Sequence, residues 1–339
     1  MKVSIITTIY KAEKDLPRLL DSMMALKSPE LEFFLIDNGS PDRCGEICAD
    51  YASRDCRFKI RVVKDNIGYI RARMLGIMEC EDADYVGFAD SDDFLEPDGY
   101  DNAINVIKEQ DCDLYIASYH THSSGNVTTT NPPYSIGLYK GESIKTLLPQ
   151  AFGFLMGKTR LHGFMWKQIY RRKILIDSDI NLLEKLKPWE DQVFNIDMIR
   201  HCQSVYVDKQ VLYNYIANDQ SLTAHMIANF DADSFLSTLL ELYEEKQRRT
   251  VDPIHVRANA NAALLNLDQL VLNLCKNKSL SGFDVMKKLR KMLNGNHQIK
   301  QIIHDSNNSD LSKRLKIMRY CLSNKLYLLI ISIIRFKLK

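Results

Sequence analysis

A chain of 339 residues that is 45 % hydrophobic and 26 % charged has the composition of an ordinary globular protein, long enough for a large domain with an appendage. The net charge of +2 excludes a nucleic-acid binder that depends on overall basic charge. The eight cysteines include no Cys-x-x-Cys pair, so neither a zinc site nor a disulfide framework is predicted. Reduced thiols, together with an N-terminus that lacks signal-peptide features, predict a cytoplasmic protein.

The first 120 residues alternate between apolar runs typical of buried strands and segments with helical periodicity. Strands are predicted at 3–9, 33–36, 60–63, 85–89 and 114–118. Helices are predicted at 16–24, 70–78 and 100–109, and another from an N-cap at Ser40 with Pro41 in the first turn to about residue 52. This alternation predicts an α/β fold with a doubly wound, mostly parallel sheet and helices on both of its faces.

Beyond residue 120 the alternation is less regular. Residues 120–139 contain a glycine and two adjacent prolines, which predict a loop or a short hairpin. A helix is predicted at 143–154, an apolar and basic segment at 162–176, a helix that opens with Trp189-Glu190-Asp191 and runs to about residue 199, and a strand pair at 204–215. Helical periodicity dominates after residue 228, so we predict an α/β domain over 1–228 and a helical region over 229–339.

The segment at 85–98, YVGFADSDDFLEPD, carries three carboxylates directly after an apolar run. Asp90, Asp92 and Asp93 are thereby predicted at the carboxyl end of a strand, where open parallel sheets bind ligands. In an extended segment Asp90 and Asp92 point to the same side, while Ser91 points away. Two neighbouring carboxylates suit Mg²⁺ or Mn²⁺, with substrate phosphates completing the coordination. The structural alternative is an acidic surface turn in which Asp93 caps the next helix.

Polar residues also follow the other predicted strands at the same edge of the sheet. They are Thr8 and Tyr10 after the first strand, Asp37 and Asn38 after the second, and Asp65 and Asn66 after the third. Carboxylates and amides placed there can bind the imide and hydroxyls of a nucleoside, while a metal ion binds its diphosphate. The next helix carries Arg71 and Arg73 near its N-terminus, where guanidinium groups suit an anion. Each residue alone also fits a turn, a cap or a solvated surface charge.

The order of these motifs resembles the family 2 nucleotide-sugar glycosyltransferases, a large group of inverting enzymes with the GT-A fold. The resemblance covers roughly residues 1–225 and rests on VSIITTIYKAEKDLPRLLDSM, LIDNGSPD, the Ala72-Arg73 and Gly76 of RARMLGI, FADSDDFLEPD, MWKQIYRR and PWEDQVFN. Two positions depart from the family pattern. Asn38 stands where a second aspartate is common, and Met74 stands where asparagine is common, which leaves the nucleotide base and the diphosphate contacts open.

The resemblance implies transfer of a sugar from a nucleoside-diphosphate donor, usually UDP-linked, to a hydroxyl of a saccharide or lipid-linked acceptor in bacterial-style surface-polysaccharide assembly. The nucleotide-sugar-binding residues it implies are Thr8, Tyr10, Asp37, Asn38, Asn66, Arg73, Asp90 and Ser91. Asp90 and Asp92 would bind Mg²⁺ or Mn²⁺, and Asp191, beside Glu190, would be the catalytic base. Taken alone, the pair Glu190-Asp191 is better explained by the preference for acids in the first turn of a helix than by catalysis.

Two other functions stay open. A sugar nucleotidyltransferase of similar topology normally carries a glycine-rich N-terminal loop for its triphosphate, and VSIITTIY contains no glycine. An inactive relative would bind a nucleotide sugar or a partner transferase without turnover. The presence of Asp90, Asp92 and Asp191 favours an active enzyme over that alternative.

The C-terminal segment from residue 311 to residue 339 contains eight Lys or Arg residues and no acid. Its uncharged run at 326–334 is much shorter than the roughly 20 residues that a membrane-spanning helix needs. The pattern predicts one of two structures. One is an interfacial helix on anionic lipid, which would place the protein peripherally at the inner face of the cell membrane. The other is a helix that closes the C-terminal core.

Overall fold

The computed structural model describes residues 1–155, 160–217, 230–250, 252–277 and 279–337. The chain divides into two compact units, of which the first comprises 1–147, 163–184 and 194–221. The second comprises 148–162, 185–193 and 222–339. The boundary predicted at residue 228 lies outside the described residues. Two short segments that precede it in sequence belong to the second unit.

The first unit is built on one sheet of mixed direction. Its strands are β1 (Val3–Ile9), β2 (Leu31–Asn38), β3 (Phe58–Val63), β4 (Tyr85–Asp90), β5 (Phe94–Leu95), β6 (Leu114–Ser123), β7 (Asn126–Thr130), β8 (Gly137–Lys140), β9 (Gln168–Arg171) and β10 (Ser204–Ile216). Their order is β3-β2-β1-β4-β9-β6-β10-β5, with β7 on β6 and β8 on β10. The first four strands of this order are parallel, as are β6 and β10, whereas β9 is antiparallel to both neighbours.

The described helices are α1 (Leu16–Met24), α2 (Cys44–Arg54), α3 (Tyr69–Glu79), α4 (Pro97–Gln110), α5 (Leu148–Phe152), α6 (Arg172–Asp177), α7 (Glu190–His201), α8 (Ala232–Arg248), α9 (Pro253–Lys276), α10 (Gly282–Leu293), α11 (His297–Asp305), α12 (Lys313–Ser323) and α13 (Tyr327–Lys337). Successive side chains of a strand point to opposite faces of the sheet, so the apolar strands present apolar side chains on both faces. Helices cover both of these faces. On one face Ile5 packs in a core shared with α1, α2 and α4. On the other face α3 packs closely against Ile6 and Ile36. The predicted α/β architecture is therefore confirmed.

Gly76 in α3 allows this close packing. A Cβ atom there would lie 2.5 Å from Cγ2 of Ile6 and 2.9 Å from Cδ1 of Ile36, closer than carbon atoms approach without displacement. The glycine of the RARMLGI motif is thus explained by contact between a helix and the sheet. The contact sets the position of α3, and α3 carries Arg73.

Several predicted elements differ from the structure. The N-cap at Ser40 is wrong, because the Ser40 amide donates to Oδ1 of Asp37 at 2.9 Å and α2 begins only at Cys44. The strand pair at 204–215 is wrong, because β10 is one strand whose pairing with β6 shifts register twice. The helix predicted at 143–154 is a 3₁₀ turn followed by the short α5. The segment at 120–139 forms the predicted hairpin, between β6 and β7, and then β8.

The second unit is helical. Its core is formed by apolar residues of α8 to α13 around the 24-residue α9. One face of α13 closes this core with Tyr327, Ile330, Ile331 and Ile334, whereas the opposite face remains exposed. Within the described ranges, no helix has both the length and the apolar character needed to cross a membrane.

Candidate active site

The carboxyl ends of three adjacent strands meet at one edge of the sheet. Thr8 of β1 lies opposite Ile36 of β2 on one side and opposite Asp90 of β4 on the other. One residue further along, Ile9 lies opposite Asp37. Parallel strands in register bring these residues together, as the sequence predicts. Tyr10 follows β1 as an exposed side chain.

The ends of β2 and β3 are joined by an amide network. The Asn38 side chain donates to Oδ1 of Asn66 at 3.3 Å, and its own Oδ1 accepts from the Ile67 amide at 3.0 Å. Gly39 permits this approach, since it adopts a φ of +72° and a Cβ there would lie 2.8 Å from the Asn66 nitrogen. Asn38 is buried and Asn66 is exposed. Asn38 therefore holds the loop after β3, whose Asn66 faces solvent.

Asp90 and Arg73 form an ion pair at the edge of the sheet. A guanidinium nitrogen of Arg73 donates to Oδ1 of Asp90, and the Arg73 guanidinium also lies over the Tyr69 ring at 5.2 Å from its centre. Arg71, in contrast, pairs with Glu184 on the surface at 2.7 Å. The structure thus brings Arg73, and not Arg71, to the aspartates at the end of β4.

Asp92 lies in a turn after β4, not in the extended segment that the sequence predicts. β4 ends at Asp90, and the Asp93 amide donates to the Asp90 carbonyl at 3.2 Å, so Ser91 and Asp92 lie in a turn. Alternation along an extended strand therefore does not apply to Asp92. Both Ser91 and Asp92 are half-buried, and the carbonyl of Asp92 accepts from the Arg18 guanidinium.

Asp93, the third carboxylate, has a structural role that the sequence does not indicate. It is 1 % exposed and does not cap α4, whose N-cap is Glu96. Its Oδ2 accepts from the Tyr213 hydroxyl at 2.9 Å, and its Oδ1 accepts from the Ile216 amide at 2.7 Å. The Tyr213 hydroxyl in turn accepts from the Asp90 amide at 2.9 Å. These bonds connect the end of β4 to β10, about 120 residues later, and no local pattern predicts them.

The electrostatics of this edge suit a cation. Burial, together with the negative charges of Asp90 and Asp92, raises the pKa of Asp93 to about 9. Among the described residues no three His, Cys, Asp or Glu side chains form a metal-ligating cluster. Mg²⁺ does not require one, since it is often bound by one or two carboxylates with phosphates and water. Asp90 and Asp92 therefore fit a divalent ion bound together with a diphosphate.

Glu190 and Asp191 lie in the second unit, in the first turn of α7. Glu190 is buried and Asp191 is half-buried. The preceding Trp189 packs edge-on against Phe235 of α8, with ring centres 5.1 Å apart. The sequence thus places both acids correctly at a helix start.

The fold is of the GT-A type, with aspartates at the ends of its parallel strands, and the sequence match to a family model makes the class of the protein a glycosyltransferase. Residues 4–176 match the family model described as glycosyl transferase family 2. The chain belongs to that family.

Relatives and solved structures agree with this assignment. The glycosyltransferase EpsJ of Bacillus subtilis is 29 % identical over 223 residues, which are 65 % of this chain and 62 % of EpsJ. The chain thus spans about three-fifths of the length of this relative. Staphylococcus aureus TarS 1-349 in complex with UDP-GlcNAc has a TM-score of 0.64 at 19 % identity, covering 99 % of this chain and 90 % of the 1-349 chain. The Pyrobaculum calidifontis mannosyltransferase PcManGT, in complex with GDP-Man and Mn²⁺, has a TM-score of 0.55 at 13 % identity, covering 99 % and 87 %.

Proposed function

We propose that the protein transfers a sugar, with inversion, from a UDP-linked donor to a hydroxyl of a saccharide or lipid-linked acceptor in bacterial surface-polysaccharide synthesis. The observation that carries the proposal is the meeting of Thr8, Asp37 and Asp90 across three adjacent strand ends. Relatives support the donor and the context. TarS is named a poly(ribitol-phosphate) β-N-acetylglucosaminyltransferase, and its structure has been solved with UDP-GlcNAc.

In this proposal the strand ends bind the donor. Thr8, Tyr10, Asp37, Asn38 and Asn66 contact the nucleoside, through carboxylate and amide groups that can pair with a base and a ribose. Ser91 and Arg73 lie beside Asp90 and contact the diphosphate. Bound at Asp90 and Asp92, Mg²⁺ or Mn²⁺ would offset the negative charge of the departing diphosphate.

The chemical step is a single displacement. Asp191 accepts the proton of the acceptor hydroxyl, whose oxygen attacks the anomeric carbon. The bond from that carbon to the diphosphate oxygen breaks on the opposite side, so the configuration inverts and UDP leaves with the bonding electrons. Glu190 would take the role of base only if Asp191 did not.

The donor is identified by measuring thermal unfolding with UDP-GlcNAc, other UDP-sugars, GDP-mannose and a nucleoside triphosphate, each with Mn²⁺ and with EDTA. We expect Mn²⁺-dependent stabilisation by UDP and a UDP-sugar, since a ligand that binds only the folded state raises its stability by about 2.7 kcal/mol at 100 times Kd. GDP-mannose is the matched control for the identity of the nucleotide base. Stabilisation by the triphosphate alone, with pyrophosphate released from triphosphate and sugar phosphate, would instead identify a nucleotidyltransferase.

We also propose that the C-terminal helices contact anionic membrane peripherally, at the inner face of the cell membrane. α13 exposes Leu328, Leu329 and Phe336 to solvent at 53 %, 48 % and 81 %, and Phe283 of α10 is 66 % exposed. Gly282 of α10 lies beside Arg335 of α13, so the two helices pack against each other there. Lys313, Lys316 and Lys325 are exposed on the same C-terminal segment. Exposed apolar side chains among cations suit an anionic lipid surface.

Replacing Leu328, Leu329 and Phe336 together with serine should lower binding to phosphatidylglycerol vesicles by at least about tenfold, because each apolar side chain contributes of the order of 1 kcal/mol or more on burial. The buried face of α13 is unchanged in this variant, so the helical core remains. Co-sedimentation at low and high salt measures the loss. The matched control replaces Val62 and Val127, exposed apolar residues of the first unit, with serine. Equal sedimentation of all three proteins would limit α13 to a role in the core.

A further inference from the structure

Lys246 of α8 is a buried lysine in the second unit. It is 2 % exposed, and its ammonium donates to Oε1 of Gln192 at 2.8 Å and to the Phe152 carbonyl at 3.0 Å. Lysine is rarely buried to this extent, because removing an ammonium from water is costly unless its donors are satisfied. The bond to Gln192 joins α8 to the residue that follows Asp191.

Lys246 and Asp191 interact electrostatically. Burial and the nearby Arg160 lower the pKa of Lys246 to about 7, while the negative charge of Asp191 opposes that decrease.

Other contacts tie the same segment to α8. Lys185 pairs with Glu241 and Glu245, and its bond to Glu245 measures 2.7 Å. Trp189 packs on Phe235. Lys185, Trp189 and Gln192 thus connect the segment 185–193 to α8, and the bond of Lys246 to Gln192 lies within the first turn of α7.

We propose that Lys246 is a positioning residue for the base, holding Gln192 and the first turn of α7 so that the Asp191 carboxylate stays correctly oriented. This inference rests on the proposed function, because it assigns to Lys246 an effect exerted through Asp191.

A double-mutant cycle tests the inference in the full chain. Lys246→Met keeps the length of the side chain and removes the ammonium. We expect it to lower kcat by about 10- to 100-fold, the scale of a misplaced catalytic group, with KM for the donor within about twofold. In the Asp191→Asn background Lys246→Met should cause no further loss, because the group through which it acts is gone. If the kcat losses of the two single variants multiply in the double variant, Lys246 has a general structural role and the inference is overturned.

Two controls separate positioning from folding. Arg248→Met removes a cation of the same helix that binds Glu245 at 2.6 Å, and its kcat should stay within about twofold of wild type. Unfolding temperatures give the second control. Between pH 7 and 10.5 the unfolded chain binds more protons at Lys246 than the folded one, so wild-type stability gains from rising pH there. Lys246→Met lacks that gain, and it should unfold no lower than wild type at pH 7.

The outcomes distinguish the two proposals. If Asp191→Asn keeps near wild-type kcat, the base assignment in the proposed function fails. If Asp191→Asn is impaired while Lys246→Met keeps its full kcat, the proposed function stands and the positioning role of Lys246 is refuted.

Discussion

Replacing Asp191 with asparagine is expected to lower kcat by about 10²- to 10⁴-fold, which corresponds to roughly 3 to 5 kcal/mol of activation free energy. Asparagine keeps the shape of the side chain and removes its ability to accept the proton. The affinity for the donor should stay nearly unchanged, because the strand ends that bind it are unaltered. Steady-state kinetics with the identified donor and acceptor, together with calorimetry of UDP binding, measure both quantities.

A purely structural role for Asp191 predicts a different result. Loss of a favourable charge at a helix N-terminus costs a few tenths to about 1 kcal/mol of stability and leaves turnover largely intact. Glu190→Gln is the matched control, since Glu190 precedes Asp191 in the same turn. If Glu190→Gln abolishes turnover and Asp191→Asn does not, the base is Glu190.

Asp92→Ala should abolish Mn²⁺-dependent binding of UDP, and Asp90→Ala should weaken it to a smaller degree. Both substitutions remove a carboxylate ligand from the proposed cation site, and a metal–diphosphate contact contributes several kcal/mol. The effect of Asp90→Ala is expected to be smaller because Arg73 loses its ion pair with Asp90 and can then bind the diphosphate more strongly. Calorimetric titration of UDP with Mn²⁺ and with EDTA measures the loss.

Asp98→Ala is the control for these substitutions, because Asp98 is an exposed aspartate of the same acidic segment in the first turn of α4. It should bind UDP like the wild type. Unfolding temperatures should be similar in all variants, since Asp90 and Asp92 are only partly buried. Unchanged Mn²⁺-dependent UDP binding in both Asp90→Ala and Asp92→Ala would refute the metal assignment.

Much of the fold could be predicted from local patterns. The apolar runs that became β1 to β4 and the first turn of α7 at Glu190 are properties of short stretches, since burial and helix dipoles act on neighbouring residues. Element ends were less predictable. Asp37 binds the Ser40 amide and so delays α2 to Cys44, a competition between a side chain and a helix start that a motif does not reveal.

The sequence by itself determined the family, the parallel strand ends and the acidic residues at them, because each depends on residues close together in the chain. Only the tertiary structure decided which partners those acids have. Asp93 is held by Tyr213 and Ile216, and Asp90 pairs with Arg73. Such bonds join strands and helices far apart in sequence, and they leave no periodicity or spacing in either segment. For the same reason the sequence does not distinguish Lys246 from an ordinary helical lysine. Only the tertiary structure shows that it is buried beside Gln192.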